Sequence, residues 1–352
     1  MRKSYLILLF VSLFSFSQEN KIDIDFTTID SNSKKIKYKD DLNQLTLELT
    51  KDCKTQIEKT RAIFIWITDN VKYDCRKFNK MQSNGNVKTF KCKTKEECDL
   101  KKAEYEKEQI NRTLKKGKGI CGDYSKLFEK MCRIAGINCY YIHGYTKSEA
   151  FQVGKMGDLD HAWNVAVIDG IYYYFDLTWA AGGCTRNEKG NLKKFYKKYN
   201  DYYWMTPIDK LSRNHYPKDT TWIKNSIYTK RLYKNNPFID NSIISEIDIL
   251  SPNTGVIEAK VGDTIKFLID FRKEVDKVQI NSNSKRSPSV WKKVNKKEVF
   301  NDEALAKQKY TDYNRDGDKI SFYYVIDNKP INFVEILFDY RLAIKYRIKV
   351  NK

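Results

Sequence analysis

Hydrophobic residues recur at two different spacings along this chain, and each spacing predicts a different kind of element. Between residues 56 and 71, Ile57, Phe64, Ile67 and Val71 recur at intervals of seven, three and four. This spacing places the four side chains on one face of a helix. We therefore predict a helix over these residues that packs against a core.

A second helix is predicted to begin at Cys121. The segment GKGICGDYSKLFEKMCRIAGI contains apolar residues at helical spacing: Tyr124, Leu127, Phe128, Met131 and Ala135. Gly136 follows them where a C-terminal cap is expected. Cys121 then lies at the helix N-terminus, where unpaired N–H groups and the helix dipole favour a thiolate. Gly119 and Gly122 flank the thiol and permit close approach of an acyl substrate.

Three strands are predicted after this helix, from the segments CYYIHGY, HAWNVAVI and IYYYFDLTW. Asp169-Gly170 separates the last two and predicts a two-residue hairpin turn. The register of such a hairpin places His161 opposite Thr178. It places Asp176 opposite Trp163. His161 and Asp176 are then diagonal neighbours on one face, roughly 7–8 Å apart along the backbone, whereas a slip of one residue would separate them.

These three polar residues suggest a chemistry. An Asp that holds one imidazole nitrogen fixes the tautomer and leaves the other nitrogen to accept a thiol proton. Cys121 is therefore the candidate nucleophile, His161 the base and Asp176 the orienting carboxylate. The chain has three histidines. His143 falls in a predicted strand and is interpreted as structural, and His215 falls in the loop RNHYP without an obvious carboxylate partner.

The blocks GKGICGDYS, DHAWN and YYYFDLTW, in this order, resemble the three catalytic blocks of the transglutaminase-like superfamily, particularly its bacterial and cytokinesis-associated branch. The upstream WITDNVKYD is similar to the stretch that precedes the nucleophile in that branch. The resemblance covers residues 56–182. It implies a papain-like α+β fold with the nucleophile helix packed on an antiparallel sheet. It also implies the roles given above for Cys121, His161 and Asp176, with no metal or organic cofactor.

Further aromatic residues are candidates for the substrate side of this site. The N–H of Cys121 is expected to donate to the oxyanion, and the indole of Trp66 or the hydroxyl of Tyr73 is a candidate second donor. For Trp66 the alternative is packing in the core. Trp163 and Trp179 flank the proposed site, where they either wall an acyl tunnel or pack against other rings.

The pattern changes past Pro237, where short β-rich segments alternate with turn residues. This predicts a small antiparallel β-sandwich of the Ig-like kind. We divide the chain into a signal peptide at 1–17, a catalytic domain at 18–239 with an insertion at 75–118, and the sandwich at 240–352. Within the sandwich, DYNRDGD matches the first part of a calcium loop, but Tyr323 stands where the closing Glu would fall, so a hairpin turn is favoured and no metal is expected.

The first residues, MRKSYLILLFVSLFSFSQEN, combine a basic start, an apolar run and small residues before Gln18. This is the layout of a secretory signal peptide. The run is shorter than the about 20 apolar residues of a membrane span. We therefore expect export to the periplasm or the exterior and a mature protein without a transmembrane segment.

The net charge of the chain indicates which classes of partner to expect. Of the formal net charge of +20, about +14 falls on residues 18–239. A basic surface attracts anionic polymers, yet no nucleic-acid module is recognisable. We expect a protein or peptide substrate, with an anionic cell-envelope polymer as a second candidate partner and no nucleic acid.

If Cys121 stays free, at least one more of the eight cysteines is unpaired, and Cys92 with Cys98 is the favoured local disulfide.

The function expected from these residues is acyl transfer through a thioester at Cys121, after attack on a glutamine carboxamide or a peptide carbonyl. An amine acceptor would make the enzyme a transglutaminase, and water would make it a deamidase or a cysteine peptidase. The alternative is a catalytically silent transglutaminase-like module that binds the envelope or serves as a scaffold.

Overall fold

The structure is a computed structural model that describes residues 24–84, 89–224, 226–294, 297–327 and 330–351. The predicted signal peptide at 1–17 lies outside these residues. Within the described ranges, we find no helix whose length and hydrophobicity would let it cross a membrane.

The helices, in chain order, are α1 (Thr27–Lys35), α2 (Leu42–Thr50), α3 (Gln56–Asn70), α4 (Cys75–Asn84), α5 (Lys95–Lys116), α6 (Cys121–Ile134), α7 (Leu177–Ala181), α8 (Ile208–Leu211), α9 (Lys230–Asn235) and α10 (Asp302–Leu305). The first nine strands are β1 (Lys72–Tyr73), β2 (Lys118–Gly119), β3 (Asn138–Thr146), β4 (His161–Ile168), β5 (Ile171–Phe175), β6 (Gly182–Arg186), β7 (Leu192–Lys197), β8 (His215–Pro217) and β9 (Phe238–Ile239). The remaining strands are β10 (Ile247–Ser251), β11 (Val256–Ala259), β12 (Thr264–Phe271), β13 (Val278–Ser282), β14 (Trp291–Val294), β15 (Lys297–Phe300), β16 (Asn314–Asp316), β17 (Lys319–Val325), β18 (Phe333–Phe338) and β19 (Arg341–Val350).

The two predicted core helices are confirmed as α3 and α6. α3 begins with a capping box, in which the Thr55 hydroxyl accepts from the Glu58 N–H and the Glu58 carboxylate accepts from the Thr55 N–H;. Phe64 of α3 meets Phe128 of α6 edge-on, with 6.1 Å between ring centroids. Gly136 follows α6 with a φ of 79°, as the predicted C-terminal cap requires;.

The core sheet is antiparallel, with the strand order β5-β4-β3-β8. The predicted hairpin register is confirmed, because Ile168 pairs with Ile171 across the turn. Asp169 and Gly170 both have positive φ, 51° and 81°, which is typical of the tight two-residue turn. The pairing ends at Asn164 with Phe175.

The predicted opposition of His161 to Thr178, and of Asp176 to Trp163, is therefore wrong. Asp176 lies one residue past the end of β5 and is the N-cap of α7, and Thr178 is already helical. The carboxylate captures the free N–H groups at the start of α7, so the chain leaves the sheet one step earlier than the alternation of side chains suggests.

The insertion at 75–118 is more regular than predicted. It contains α4 in addition to the expected polar helix α5, and the expected disulfide between Cys92 and Cys98 is present. The side chain of Asn79 in α4 donates to the carbonyl of Leu192 and accepts from its N–H. These two bonds fasten α4 to the β6–β7 hairpin, which was not predicted.

The predicted fold class, an α+β papain-like core followed by a β-sandwich, is confirmed. The C-terminal part forms the sandwich. Its two sheets have the orders β10-β12-β17-β16 and β11-β19-β18-β13, and β9 pairs with β19. One detail differs, since β11 runs parallel to β19 in an otherwise antiparallel set. DYNRDGD forms the β16–β17 hairpin, with Gly317 at a φ of 58°. The domain boundaries stay a prediction.

Candidate active site

Cys121 is the first residue of α6, and contacts of the residues just before and just after it fix its position. The Asp123 carboxylate accepts from the N–H of Ile120, the N-cap residue, at 2.8 Å. A Cβ on Gly119 would lie 2.7 Å from Asp123 Cβ, so only glycine lets the preceding strand approach this turn. The Cys121 side chain is 8% exposed, and its Sγ lies 3.7 Å from the carbonyl oxygen of Asp160.

His161 and Asp176 meet beside this thiol. His161 Nε2 lies 2.7 Å from Asp176 Oδ2. The other carboxylate oxygen, Oδ1, accepts from the N–H groups of Thr178 at 2.9 Å and Trp179 at 3.1 Å. Asp176 is fully buried, so the helix cap fixes the carboxylate in the orientation that the imidazole requires.

The surroundings shift the pKa values of His161 and Asp176 in opposite directions. Burial lowers the pKa of His161, but the charge and hydrogen bond of Asp176 and the hydrogen bond with Cys121 outweigh it and raise that pKa to about 10. Burial likewise opposes ionisation of Asp176, yet His161 and His215 hold its pKa below the usual range. His161 is therefore an imidazolium between a carboxylate and a thiol at neutral pH.

His215 corrects the sequence interpretation, because it does have a carboxylate partner. It lies in β8, which pairs with β3, and its Nε2 is 3.0 Å from the same Asp176 Oδ2. The side chain is 1% exposed. Pairing between Thr146 and His215 brings the His215 imidazole into the core. The local sequence RNHYP contains no pattern that predicts its contact with Asp176.

The two flanking tryptophans contact the histidines. Trp163 is 1% exposed and stacks on His161, with 6.1 Å between ring centroids. Its edge contact with His215 is shorter, at 4.9 Å. Trp179 is half-buried and lies 5.3 Å from His161 and 4.7 Å from His215. Trp163 therefore packs behind the imidazoles instead of walling a tunnel, and Trp179 is the tryptophan with an exposed edge.

Trp66 is not an oxyanion donor, and that prediction is wrong. Its indole N–H donates to the carbonyl of Ile36 at 2.9 Å, and the side chain is buried among the core residues of α3. Tyr73 lies closer to the site, since it pairs with Gly119, two residues before the thiol. Burial and the neighbouring Cys121 raise the pKa of Tyr73 well above its ordinary value, so its hydroxyl stays a protonated candidate donor.

Comparison with known proteins matches this arrangement. Residues 43–177 fit the family model described as the transglutaminase-like superfamily. The resemblance seen in the sequence is therefore confirmed for a transglutaminase-like core region within this chain. The matched region contains Cys121, His161 and Asp176, and ends before His215. The transglutaminase-like core, with its cysteine-protease-like fold, therefore coincides with the helices and sheet that hold these three side chains.

Several known proteins are similar to parts of this chain. Kyphoscoliosis peptidase of Mus musculus is 26% identical over 275 residues, which cover 73% of this chain and 37% of that protein. Hillarin of Drosophila melanogaster is 27% identical over 229 residues, covering 61% of this chain and 25% of its own. A crystal structure of a TGase is 16% identical, covers 53% of this chain and 40% of that one, and has a TM-score of 0.29. The chain thus spans well under half the length of these curated relatives.

His161, Asp176 and His215 are also the described residues that could hold a metal ion, because one ligand atom of each lies within 4.8 Å of the others. In this structure the two ring nitrogens hydrogen-bond to Asp176 Oδ2. That oxygen therefore serves as a shared acceptor, and the arrangement is that of an orienting carboxylate.

Proposed function

We propose that this protein is a cysteine acyl-transfer enzyme that acts on a glutamine carboxamide or a peptide carbonyl. The observation that carries the proposal is the position of His161, which lies 2.7 Å from Asp176 Oδ2 and next in sequence to Asp160, whose carbonyl oxygen is 3.7 Å from the Cys121 Sγ. A thiol at a helix N-terminus beside an imidazolium is poised to react as the thiolate.

The reaction begins when the Cys121 thiolate attacks the carbonyl carbon and a tetrahedral oxyanion forms. The N–H of Cys121 and the Tyr73 hydroxyl are the candidate donors to this oxygen. The His161 imidazolium then gives its proton to the departing ammonia or amine, and a thioester remains on Cys121. His161, now neutral, accepts a proton from the incoming amine or water, which attacks the thioester and releases the acyl group.

Two observations bear on the acceptor. The match of residues 43–177 to the transglutaminase-like superfamily favours an amine, whereas the name of the mouse relative, kyphoscoliosis peptidase, favours water. The catalytically silent scaffold is the alternative to both.

We propose a protein or peptide substrate and no nucleic-acid partner. We also propose that the enzyme acts after export, with an anionic envelope polymer as its second partner, on the strength of the N-terminal leader pattern and the basic charge;.

The proposal is tested by measuring amine incorporation and peptide cleavage in parallel on wild type, Cys121→Ala and Cys53→Ala. Cys53 is a free cysteine distant in sequence from the site and serves as the matched control. We expect Cys121→Ala to abolish at least one activity and Cys53→Ala to retain both. If both activities are absent from the folded wild type on all peptide and protein donors, the scaffold alternative is correct.

A further inference from the structure

The four acceptor positions of the Asp176 carboxylate are all occupied. An ionised carboxylate offers about four lone-pair sites. Two N–H groups of α7 fill Oδ1, and the Nε2 atoms of His161 and His215 fill Oδ2 at 2.7 and 3.0 Å. Because a carboxylate oxygen only accepts, His215 must carry its proton on Nε2 and donate it to Asp176.

The second ring nitrogen of His215 is also hydrogen-bonded. His215 Nδ1 lies 2.6 Å from Asn214 Oδ1, an amide oxygen that only accepts, so in this geometry Nδ1 carries a second N–H and donates it, while Asn214 Nδ2 donates to the Tyr203 hydroxyl at 3.2 Å;. The Tyr203 hydroxyl in turn donates to Asn241, just after the strand β9 that joins the C-terminal sheet. A continuous path of hydrogen bonds therefore runs from the edge of the sandwich to the carboxylate.

We propose that His215 is a positioning residue that fixes Asp176, and through it His161, for reaction at Cys121. This inference rests on the proposed function for its catalytic meaning. Without the His215 donor, Oδ2 keeps only its bond with His161 and has an empty acceptor site in a buried position, so the carboxylate is held less firmly on the side that orients the imidazole. A displacement of about 1 Å in a reacting group costs on the order of 100-fold in rate.

The consequence for pH dependence has a defined sign. His215 helps to hold the pKa of Asp176 below its usual range, so its removal raises that pKa and moves the acid limb of activity to higher pH. The other titratable groups around the carboxylate are His161 and the phenols of Tyr124 and Tyr203, whose pKa values burial raises. Those phenols stay neutral at acid pH, so they do not cause the activity to fall there.

The experiment compares His215→Phe, which removes the donor, with His215→Gln, whose amide can donate from a similar place. His143→Gln is the matched control, because His143 is the exposed histidine on β3. Two rates are measured against pH: acyl transfer, and alkylation of Cys121 by iodoacetamide. We expect His215→Phe to lose about 10- to 100-fold in acyl transfer and to shift its acid limb upward. His215→Gln should recover much of both, and His143→Gln should match wild type.

Wild-type rates and an unshifted acid limb in folded His215→Phe would overturn the positioning role. If His215→Phe fails to fold, Asn241→Leu breaks the far end of the path and should show the same shift in weaker form; a profile equal to wild type would then overturn it. If no variant transfers acyl groups, but Cys121 alkylation falls in His215→Phe and not in His215→Gln, the proposed function fails and the positioning role stands.

A separate observation concerns two other thiols. Cys75 opens α4 and Cys184 lies in β6, and their Sγ atoms are 3.4 Å apart. Asn79 binds Leu192 and holds the two elements against each other. Tyr73, two residues before Cys75, pairs with Gly119, two residues before Cys121, so the chain that leads into the pair runs beside the chain that leads into the candidate nucleophile.

We infer that Cys75 and Cys184 form a disulfide with a low-molecular-weight disulfide as oxidant. Cys184, the more exposed thiol, attacks the oxidant and releases one thiol. Cys75 then attacks the mixed disulfide and releases the second thiol, so the two protein thiols lose two protons and two electrons to the oxidant. A disulfide measures about 2.05 Å, and the two sulfurs need to approach by only about 1.4 Å from their separation of 3.4 Å.

The test equilibrates the protein with oxidised and reduced glutathione, quenches with acid and maps peptides without reduction. Burial and the hydrogen bond with Cys75 raise the pKa of Cys184 to about 12, so exchange is slow and long incubations are needed. We expect a peptide linked through Cys75 and Cys184, with Cys121 still alkylatable. Cys184→Ser should abolish the link and Cys53→Ser should not. Both thiols remaining reduced while Cys92–Cys98 is oxidised, or a link to Cys121, would overturn the inference.

Discussion

Replacement of Asp176 by Asn is the most informative perturbation of the candidate site. The amide oxygen of Asn can still accept from the N–H groups of α7, as Asp176 Oδ1 does at 2.9 and 3.1 Å;. The side-chain volume is nearly unchanged. What disappears is the negative charge beside His161 and the acceptor 2.7 Å from its Nε2.

The magnitude follows from the protonation of His161. Its surroundings raise its pKa from 6.5 to about 10, a change of about 3.5 units, or about 5 kcal/mol in favour of the imidazolium. Without the Asp176 charge, burial opposes protonation and the pKa of His161 falls. The thiol then has no imidazolium partner at neutral pH, and we expect acyl transfer to fall about 10³- to 10⁴-fold, as for the equivalent change in a serine triad.

The assay follows iodoacetamide alkylation of Cys121 by mass spectrometry between pH 5 and 9, with circular dichroism to verify folding. Wild type should react faster than Asp176→Asn across this range, because the His161 imidazolium stabilises the negative sulfur that attacks the reagent. If folded Asp176→Asn keeps the wild-type profile, Asp176 does not control His161 and the argument above is refuted.

Three further substitutions test separate contacts. Trp66→Phe removes the N–H donated to Ile36 and should cost about 1–2 kcal/mol of unfolding free energy with acyl transfer within threefold; a 100-fold loss would restore its oxyanion role. Gly144→Ala places a Cβ 2.3 Å from the Trp163 ring, so urea unfolding should show a loss of about 1–3 kcal/mol, and an unchanged midpoint would contradict the packing. Burial lowers the pKa of Lys147 to about 7, so between pH 7 and about 10.4 the unfolded chain binds an extra proton at this residue, and Lys147 contributes a rise in stability with pH. The raised pKa of His161 contributes a fall over much of the same range. Lys147→Met should therefore show a lower slope of unfolding free energy against pH than wild type, and an equal slope would contradict the lowered pKa of Lys147.

Local chemistry explains which parts of the site were predictable. The Asp169-Gly170 turn fixes the β4–β5 register because both residues adopt positive φ, and that register brings His161 to Asp176. The start of α6 at Cys121 follows from helical spacing and a glycine cap. Each of these signals lies within about 20 residues of the side chain that it positions.

The rest depends on contacts between distant segments. β8 reaches its place by pairing with β3, about 70 residues earlier, so His215 could not be assigned to Asp176 from its own neighbours. The sequence left Trp66 between an oxyanion role and core packing for the same reason, since its acceptor, the Ile36 carbonyl, follows a helix that the hydrophobic pattern did not reveal. The parallel pairing of β11 with β19 joins the two ends of the sandwich and leaves no local mark.

The central claim is that Cys121 carries the acyl group, and trapping the intermediate tests it most directly. The folded protein is mixed with a p-nitrophenyl ester, quenched in acid within seconds and digested for mass spectrometry. We predict an acyl mass on the peptide that contains Cys121, removed by hydroxylamine and strongly reduced in Asp176→Asn. An acyl mass on another cysteine, or none on Cys121 while the thiol remains alkylatable, would contradict the account.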